Sequence, residues 1–482
     1  MNSEQNNNSG NVFGMIGLGT MGRSLLLNMA DHGFKVAGYD RDALKIDILE
    51  QEGKDFAVKG FVSLPDFIQS LQTPRAIMML VPAGPIVDSV INELLPLLDK
   101  GDILIDGGNS FFKDTTLRAE ALEAKGLHFF GMGISGGEEG ARRGPSMMPG
   151  GDKVAYEIVR PIFEAVAAKV NSEPCVTYIG PGAAGHFVKM VHNGIEYGLM
   201  QLIAETYEIL RKGLQLDNTA IYQIFKQWNK GRLQSFLLEI TRDIFTFKEA
   251  GADNFLVDNL LDVARSKGTG KWTSQEAMDL ELPVSTIDIA VSMRDLSKYK
   301  ALRVKAAAVY GAEQPGRFTA ESQDAFLQKL EQAFYFSMIT TYAQGMHMLG
   351  KASMAYNYQL QLDQIAKIWR GGCIIRAAFL EDIYVAYQQD PNLEHLLLDK
   401  QISALVQETA PGMRAVVATA VSSGIAIPAF SACLGYFDSV RNAHMPSNLI
   451  QAQRDYFGAH TYELVGKEGT FLHTEWLPDA VD

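Results

Sequence analysis

Between Val12 and about Gly182, short apolar or β-branched runs alternate with helical stretches. The runs are VFGMIGLGTMG, KVAGY, RAIMMLV, ILID, LHFFGM and CVTYIG, and their alternation with helices predicts a parallel sheet covered on its faces. Beyond Gly182 long amphipathic stretches take over, at residues 186–213, 218–230, 233–247, 322–350, 358–390 and 393–409. Glycine and proline punctuate this second region at Gly268 to Gly270, Pro283, Pro315-Gly316, Gly371-Gly372 and Pro411-Gly412. From Pro446 the periodicity stops, yet Tyr456, Phe457, Tyr462, Phe471 and Trp476 follow, so this tail is expected to dock on its own body or on a partner.

The first run ends in Gly17-Leu18-Gly19-Thr20-Met21-Gly22, a helix is expected from Arg23 to His32, and a second strand leads to Asp40. Strand, glycine turn, helix, strand and acidic residue together form a dinucleotide fingerprint, with the pyrophosphate at the helix N-terminus. The expected fold is therefore an α/β Rossmann-like domain over residues 12–182, preceded by a disordered extension over residues 1–11. A large all-α domain (183–445) and an extended C-terminal tail (446–482) follow. Asp40 suits a free ribose 2′-hydroxyl, whereas Arg41 and Lys45 suit a 2′-phosphate, so these residues leave NAD and NADP both open.

The stretch GHFVKMVHNGIEY, read at 3.6 residues per turn, puts Lys189, His192, Asn193, Glu196 and Tyr197 on one helix face. Phe187, Val188, Val191 and Ile195 pack away from it. A lysine and a glutamate two turns apart supply a candidate base and a candidate acid. Asp106-Gly107-Gly108-Asn109-Ser110 and Ser135-Gly136-Gly137 each follow a strand, where open α/β sheets bind ligands.

The chain has 482 residues, 47% of them hydrophobic, and its formal charge of −13 argues against a nucleic-acid surface. No apolar run reaches membrane-spanning length, and the polar start reads as no signal peptide. A cytoplasmic home is expected. Cys175, Cys373 and Cys433 form no metal-binding spacing, so no structural metal is expected.

IDGGNS, SGGEEGAR with GPSMMPGG, GHFVKMVHNGIEYG, KGTGKWT, WRGGCIIR and QAQRDYFGAHTYE together resemble the decarboxylating 6-phosphogluconate dehydrogenases of the long, three-part type, from about Val12 to Trp476. The resemblance implies an enzyme of the pentose phosphate pathway and gluconate utilization, a homodimer whose C-terminal tails reach the partner's active site, and NADP as the usual cofactor. It makes Lys189 the general base and Glu196 the general acid. Ser135, Gly136 and Gly137 would hold the substrate carboxylate, and Asn109, His192 and Asn193 its hydroxyls. Tyr197, Lys267, Thr269 and Arg294, with Arg454 and His460 of the exchanged tail, would enclose the 6-phosphate end. Gly17, Gly19, Thr20, Met21, Gly22, Asp40, Arg41, Lys45, Val81 and Asn109 would meet the dinucleotide.

This chain departs from the family pattern on the cofactor side. Asp40-Arg41-Asp42 stands where NADP-using members have Asn-Arg-Thr, Pro82 replaces a lysine, and Phe111 replaces a glutamate. NAD or dual use therefore stays open beside NADP. The competing readings are a non-decarboxylating β-hydroxyacid dehydrogenase and a catalytically silent dinucleotide-binding protein.

Overall fold

The computed structural model describes residues 10–311, 318 and 322–476. The chain divides into two compact units, Met1–Cys433 and Leu434–Asp482.

The first unit opens with β1 (Phe13–Ile16), α1 (Thr20–Asp31), β2 (Val36–Tyr39), α2 (Ala43–Glu52), β3 (Val58–Phe61), α3 (Leu64–Gln69), β4 (Ala76–Met79) and α4 (Pro85–Leu94). It continues with β5 (Ile103–Asp106), α5 (Phe112–Glu123), β6 (His128–Ser135), α6 (Gly137–Arg143), β7 (Ser146–Gly151) and α7 (Lys153–Val166). The sheet order is β3-β2-β1-β4-β5-β6-β7, with β7 antiparallel to β6 and every other neighbouring pair parallel. Because side chains alternate across a strand, Phe13 and Met15 of β1 join one buried cluster while Ile16 joins another. The strand order reverses between β1 and β4, which opens a crevice at their carboxyl ends.

A two-residue hairpin, β8 (Lys169–Val170) and β9 (Glu173–Pro174), leads to α8 (Ala184–Glu208), followed by a π-helical turn at Ile209–Gly213. Next come α9 (Asn218–Trp228), α10 (Phe236–Ile244), α11 (Leu256–Asn259), α12 (Thr269–Asp279), α13 (Ser285–Lys298) and α14 (Lys300–Tyr310). The long α15 (Gln323–Ala355) precedes α16 (Leu362–Trp369), α17 (Phe379–Gln389), α18 (Lys400–Ser422) and α19 (Pro428–Val440). The second unit carries α20 (Ser447–Gly458) and a short pairing of Tyr462 with Leu472.

Several elements differ from the sequence pattern. The run CVTYIG is no strand: it meets the edge of the sheet through isolated bridges of Val176 to Met147 and Gly180 to Gly150 on β7, and through backbone bonds of Cys175 and Ile179 to Met147 and Pro149. Its apolar residues pack as a buried loop instead, with Cys175, Val176 and Ile179 all buried. The periodic stretch 358–390 breaks into α16 and α17 around Gly371-Gly372, where Gly372 takes φ +67°. Conversely, α18 runs straight through Pro411 to Ser422, because Gly412 sits against the α15 backbone at Lys329 and packing outweighs the proline penalty. At the amino end Asn11 already bonds the fold, its backbone N–H donating to Ser70 O at 2.9 Å. Of the extension expected over residues 1–11, residues 1–9 lie outside the described residues.

Candidate active site

Helix α8 is buried on nearly every side, and missing side chains make this possible. A Cβ on Gly131 would lie 2.6 Å from His186 Nδ1, and one on Gly133 would overlap the Lys189 side chain, 2.9 Å from Cγ. These β6 glycines let α8 settle directly on the sheet edge. On its other flanks Gly194 meets Thr273 of α12, and Gly345 of α15 meets Ile195. The face that sequence periodicity puts together is thereby enclosed: Lys189, His192, Asn193 and Tyr197 are buried and Glu196 half-buried.

Enclosure sets the electrostatics. Burial lowers the Lys189 pKa to about 8, opposed by the negative charge of Glu196 and by Cys373. Burial raises that of Glu196, opposed by Lys189 and Arg294. An amine that is neutral in part near pH 8 and a carboxyl that holds its proton above the usual range are matched to base and acid work.

His192 is held well below its ordinary pKa, first by burial and then by the Lys189 charge. The neutral ring has one donor nitrogen. Nδ1 faces the Asn193 Oδ1 acceptor at 3.1 Å, so Nδ1 carries the hydrogen and Nε2 accepts from the Ser135 hydroxyl at 3.2 Å. Ser135 Oγ in turn accepts from the Ile374 N–H at 3.3 Å. The Ser135-Gly136-Gly137 turn, with positive φ at both glycines, packs Gly136 against the Gly372 carbonyl. The end of α16 and the loop after it thus belong to the site: Trp369 meets the His192 ring edge to face at 5.5 Å, and Ile374 bonds Ser135. The WRGGCIIR motif drew attention in the sequence, but these roles arise only from folding.

Around Tyr197, Arg294 places its guanidinium 3.4 Å from the ring centroid, and Gly270 of α12 lies so close that a Cβ would sit 2.5 Å from Tyr197 Cδ2. This brings Thr269, buried at the start of α12, beside Tyr197, while Lys267 is exposed just ahead of it. Asn109 is exposed on a turn shaped by Asp106, whose carboxylate accepts from the Gly108 N–H at 3.0 Å and the Ser110 hydroxyl at 2.6 Å. Phe111, next along, packs on Trp272 at 5.0 Å, and Lys113 pairs with the buried Glu276 at 2.9 Å. These contacts tie the Asn109 turn to α12. Arg454 and His460 lie in the second unit, both exposed. There Arg454 donates to Gln451 Oε1 at 3.1 Å.

A hollow of about 320 Å³ lies beside the first glycine turn, lined by Ile16, Gly17, Tyr39, Asp40, Arg41 and Glu93 among others. Gly17 has φ +92°, and a Cβ there would stand 2.5 Å from the Leu80 carbonyl, so only glycine fits. Gly19 caps α1 with no side-chain bond, and nothing lies within 4 Å of where its Cβ would be. An open, uncapped helix N-terminus, which leads through Thr20, Met21 and Gly22, fits a pyrophosphate. Asp40 accepts from the Leu18 N–H at 2.9 Å and from Lys45 Nζ at 3.1 Å, while Arg41 pairs with Glu93 at 2.6 Å. Among the described residues no group of three His, Cys, Asp or Glu side chains could hold a metal ion, and no helix is long and apolar enough to cross a membrane.

The profile described as the NAD binding domain of 6-phosphogluconate dehydrogenase matches residues 12–180, and that described as 6-phosphogluconate dehydrogenase, C-terminal domain, matches residues 185–476. A Bacillus subtilis (strain 168) protein named 6-phosphogluconate dehydrogenase, NADP(+)-dependent, decarboxylating, is 51% identical over 464 residues, 96% of this chain and 98% of its own. The decarboxylating 6-phosphogluconate dehydrogenase of Escherichia coli (strain K12) is 50% identical over 465 residues, 96% of this chain and 98% of its own. The solved structure of Plasmodium falciparum 6-phosphogluconate dehydrogenase, described in apo form and in complex with NADP+ and with 6-phosphogluconate, superposes with a TM-score of 0.94 at 43% identity, covering 96% of this chain and all of its own. With both halves matched, this chain belongs to the 6-phosphogluconate dehydrogenase family.

Proposed function

We propose that this chain oxidatively decarboxylates 6-phosphogluconate to ribulose 5-phosphate and CO₂, reducing NADP, with Lys189 as general base and Glu196 as general acid. The observation that carries the assignment is the pair itself: two oppositely shifted titratable groups on one face of an enclosed helix. The bound nicotinamide supplies the hydride acceptor. Lys189, when neutral, takes the proton of the substrate's C3 hydroxyl as the C3 hydride leaves. The resulting 3-keto acid has its carboxylate β to the ketone. Protonated Lys189 then donates back to the carbonyl oxygen as the C–C bond breaks and CO₂ departs. Glu196 protonates C1 of the remaining enediol, giving the ketose.

The other assigned side chains orient the substrate. Ser135 and the Gly136-Gly137 turn suit the carboxylate, while Asn109, His192 and Asn193 suit hydroxyls. Tyr197, Lys267, Thr269 and Arg294 suit a phosphate, to which Arg454 and His460 of a second subunit contribute in a tail-exchanged homodimer. Local cations answer the global charge of −13. The proposed compartment is the cytoplasm.

The test is initial rates with 6-phosphogluconate at saturating NADP and, separately, NAD, following reduced nicotinamide and CO₂ together. Equal molar formation of both products is expected. The Lys189→Ala variant is expected to abolish turnover while NADP binding persists. Near-normal rates in that variant would remove Lys189 from its role, and reduction without CO₂ would favour the non-decarboxylating alternative.

A further inference from the structure

The hollow beside the glycine turn holds its charges as two closed pairs. On one wall the Asp40 carboxylate takes the Leu18 and Asp42 N–H groups, at 2.9 and 3.1 Å, and Lys45 Nζ at 3.1 and 3.3 Å. On the other a single Arg41 nitrogen lies 2.6 and 2.7 Å from the two oxygens of Glu93, one of which also accepts from the Ser89 hydroxyl at 3.3 Å. Ser89 and Glu93 are one turn apart on α4, so the helix delivers both to the same rim. Lys45 is engaged by Asp40 and Arg41 by Glu93. The two cations that could meet a phosphate are therefore each neutralised.

We infer that Glu93 is a cofactor-specificity residue, weighting the site toward a free ribose 2′-hydroxyl and against a 2′-phosphate. This rests on the reading of the hollow as the adenosine end of the dinucleotide site. The sequence pattern around the second strand does not contain Glu93, which arrives from 52 residues further along the chain. An uncharged hydroxyl leaves both ion pairs in place. A phosphate must draw Arg41 away from Glu93, and the freed carboxylate then faces it with like charge beside Asp40. The Arg41 and Glu93 side chains are 70% and 39% exposed, so the pair opens readily and the penalty comes chiefly from that residual charge. Neutralising Glu93 keeps its shape, releases Arg41 and removes the repulsion.

The test compares the full-length protein with Glu93→Gln by calorimetry, using adenosine 2′,5′-bisphosphate and adenosine 5′-monophosphate as probes. The variant is expected to bind the bisphosphate about five- to tenfold more tightly, with the monophosphate changed less than about twofold, as suits one charge contact in a solvent-exposed site. The gain should shrink at high salt, because exposed charges are screened. The ratio of kcat/KM for NADP over NAD should rise by the same factor. Equal changes for the two probes, or a gain indifferent to salt, would overturn the role of Glu93 while leaving the enzyme assignment intact. A wild-type protein that bound neither probe would overturn the dinucleotide reading of the hollow as well.

Discussion

Gly133 on β6 and Lys189 on α8 are packed so closely that the lysine stem occupies the space a side chain on residue 133 would need. The proposed base is thus positioned by the absence of a Cβ on the neighbouring strand. Gly133→Ala puts a methyl 2.9 Å from Lys189 Cγ and against its Cβ, an overpacking that costs about 1–3 kcal/mol. The helix must lift from the sheet or the lysine must turn. We expect kcat to fall about 10²-fold, since ångström-scale displacement of a reacting group has effects of that order, with NADP affinity unchanged. Steady-state rates paired with calorimetric binding check this; an unaltered kcat would show that Lys189 is not placed by this contact.

Lys189 and Glu196 titrate as a pair, and the working pair carries one proton: an amine free to accept and a carboxyl able to donate. A second proton at low pH silences the base. Loss of the last proton, near the Lys189 value of about 8, removes the acid. The pH profile of kcat/KM is therefore expected to be a bell with its alkaline limb near that value. Glu196→Gln removes the negative charge that raises the Lys189 pKa. Single-turnover NADPH formation in that variant should show one ascending limb, its midpoint below about 8. A persisting alkaline limb would mean that another group is the acid.

Glu205, more than four turns beyond Lys189 on α8, caps a different helix. Its buried carboxylate accepts the Ala429 N–H at 2.8 Å and the Phe430 N–H at 3.1 Å, at the start of α19. Burial raises its pKa to about 7 despite these bonds and that of Gln201. Because the folded value lies above the unfolded one, the stabilising contribution is full below about 4.5 and is lost as pH rises through about 7. Relative to the non-titrating Glu205→Gln, the wild type should lose about 3 kcal/mol between pH 4.5 and 8, the energy of a shift of roughly two and a half units. Denaturant unfolding of both proteins across that range tests it; a constant difference would refute it.

Within the second unit, Asp455 is fully buried and organises the tail. Oδ1 accepts from Thr461 N–H and His473 Nδ1, at 3.0 and 2.9 Å, and Oδ2 from Thr474 N–H and Trp476 Nε1, at 3.1 and 2.8 Å. Asn at this position turns one of the two acceptors into a donor facing other donors. Asp455→Asn should speed hydrogen exchange at Thr461 and Thr474, read by mass spectrometry, and, on the proposed role of Arg454 and His460 in holding the phosphate, raise KM for 6-phosphogluconate more than it lowers kcat, since both residues flank the disturbed hub. Unchanged exchange would mean the tail is held by other contacts.

The sequence by itself determined what depends on local spacing. The glycine turn between β1 and α1 was legible because backbone sterics demand glycine there, and the face of α8 was legible because helical periodicity is a property of the backbone. Boundaries within the helical region were less so. Over residues 358–390 periodicity alone ran on unbroken and the Gly371-Gly372 punctuation was what marked the break between α16 and α17, whereas Pro411 looked like a stop although α18 continues through it. Tertiary structure alone decided the partners: Glu93 across from Arg41, the Ile374 N–H on Ser135, Gly133 beneath Lys189. The burial that moves Lys189 and Glu196 toward each other in pKa was also invisible in the chain, because desolvation depends on everything that surrounds a residue, and those surroundings come from segments far apart in sequence.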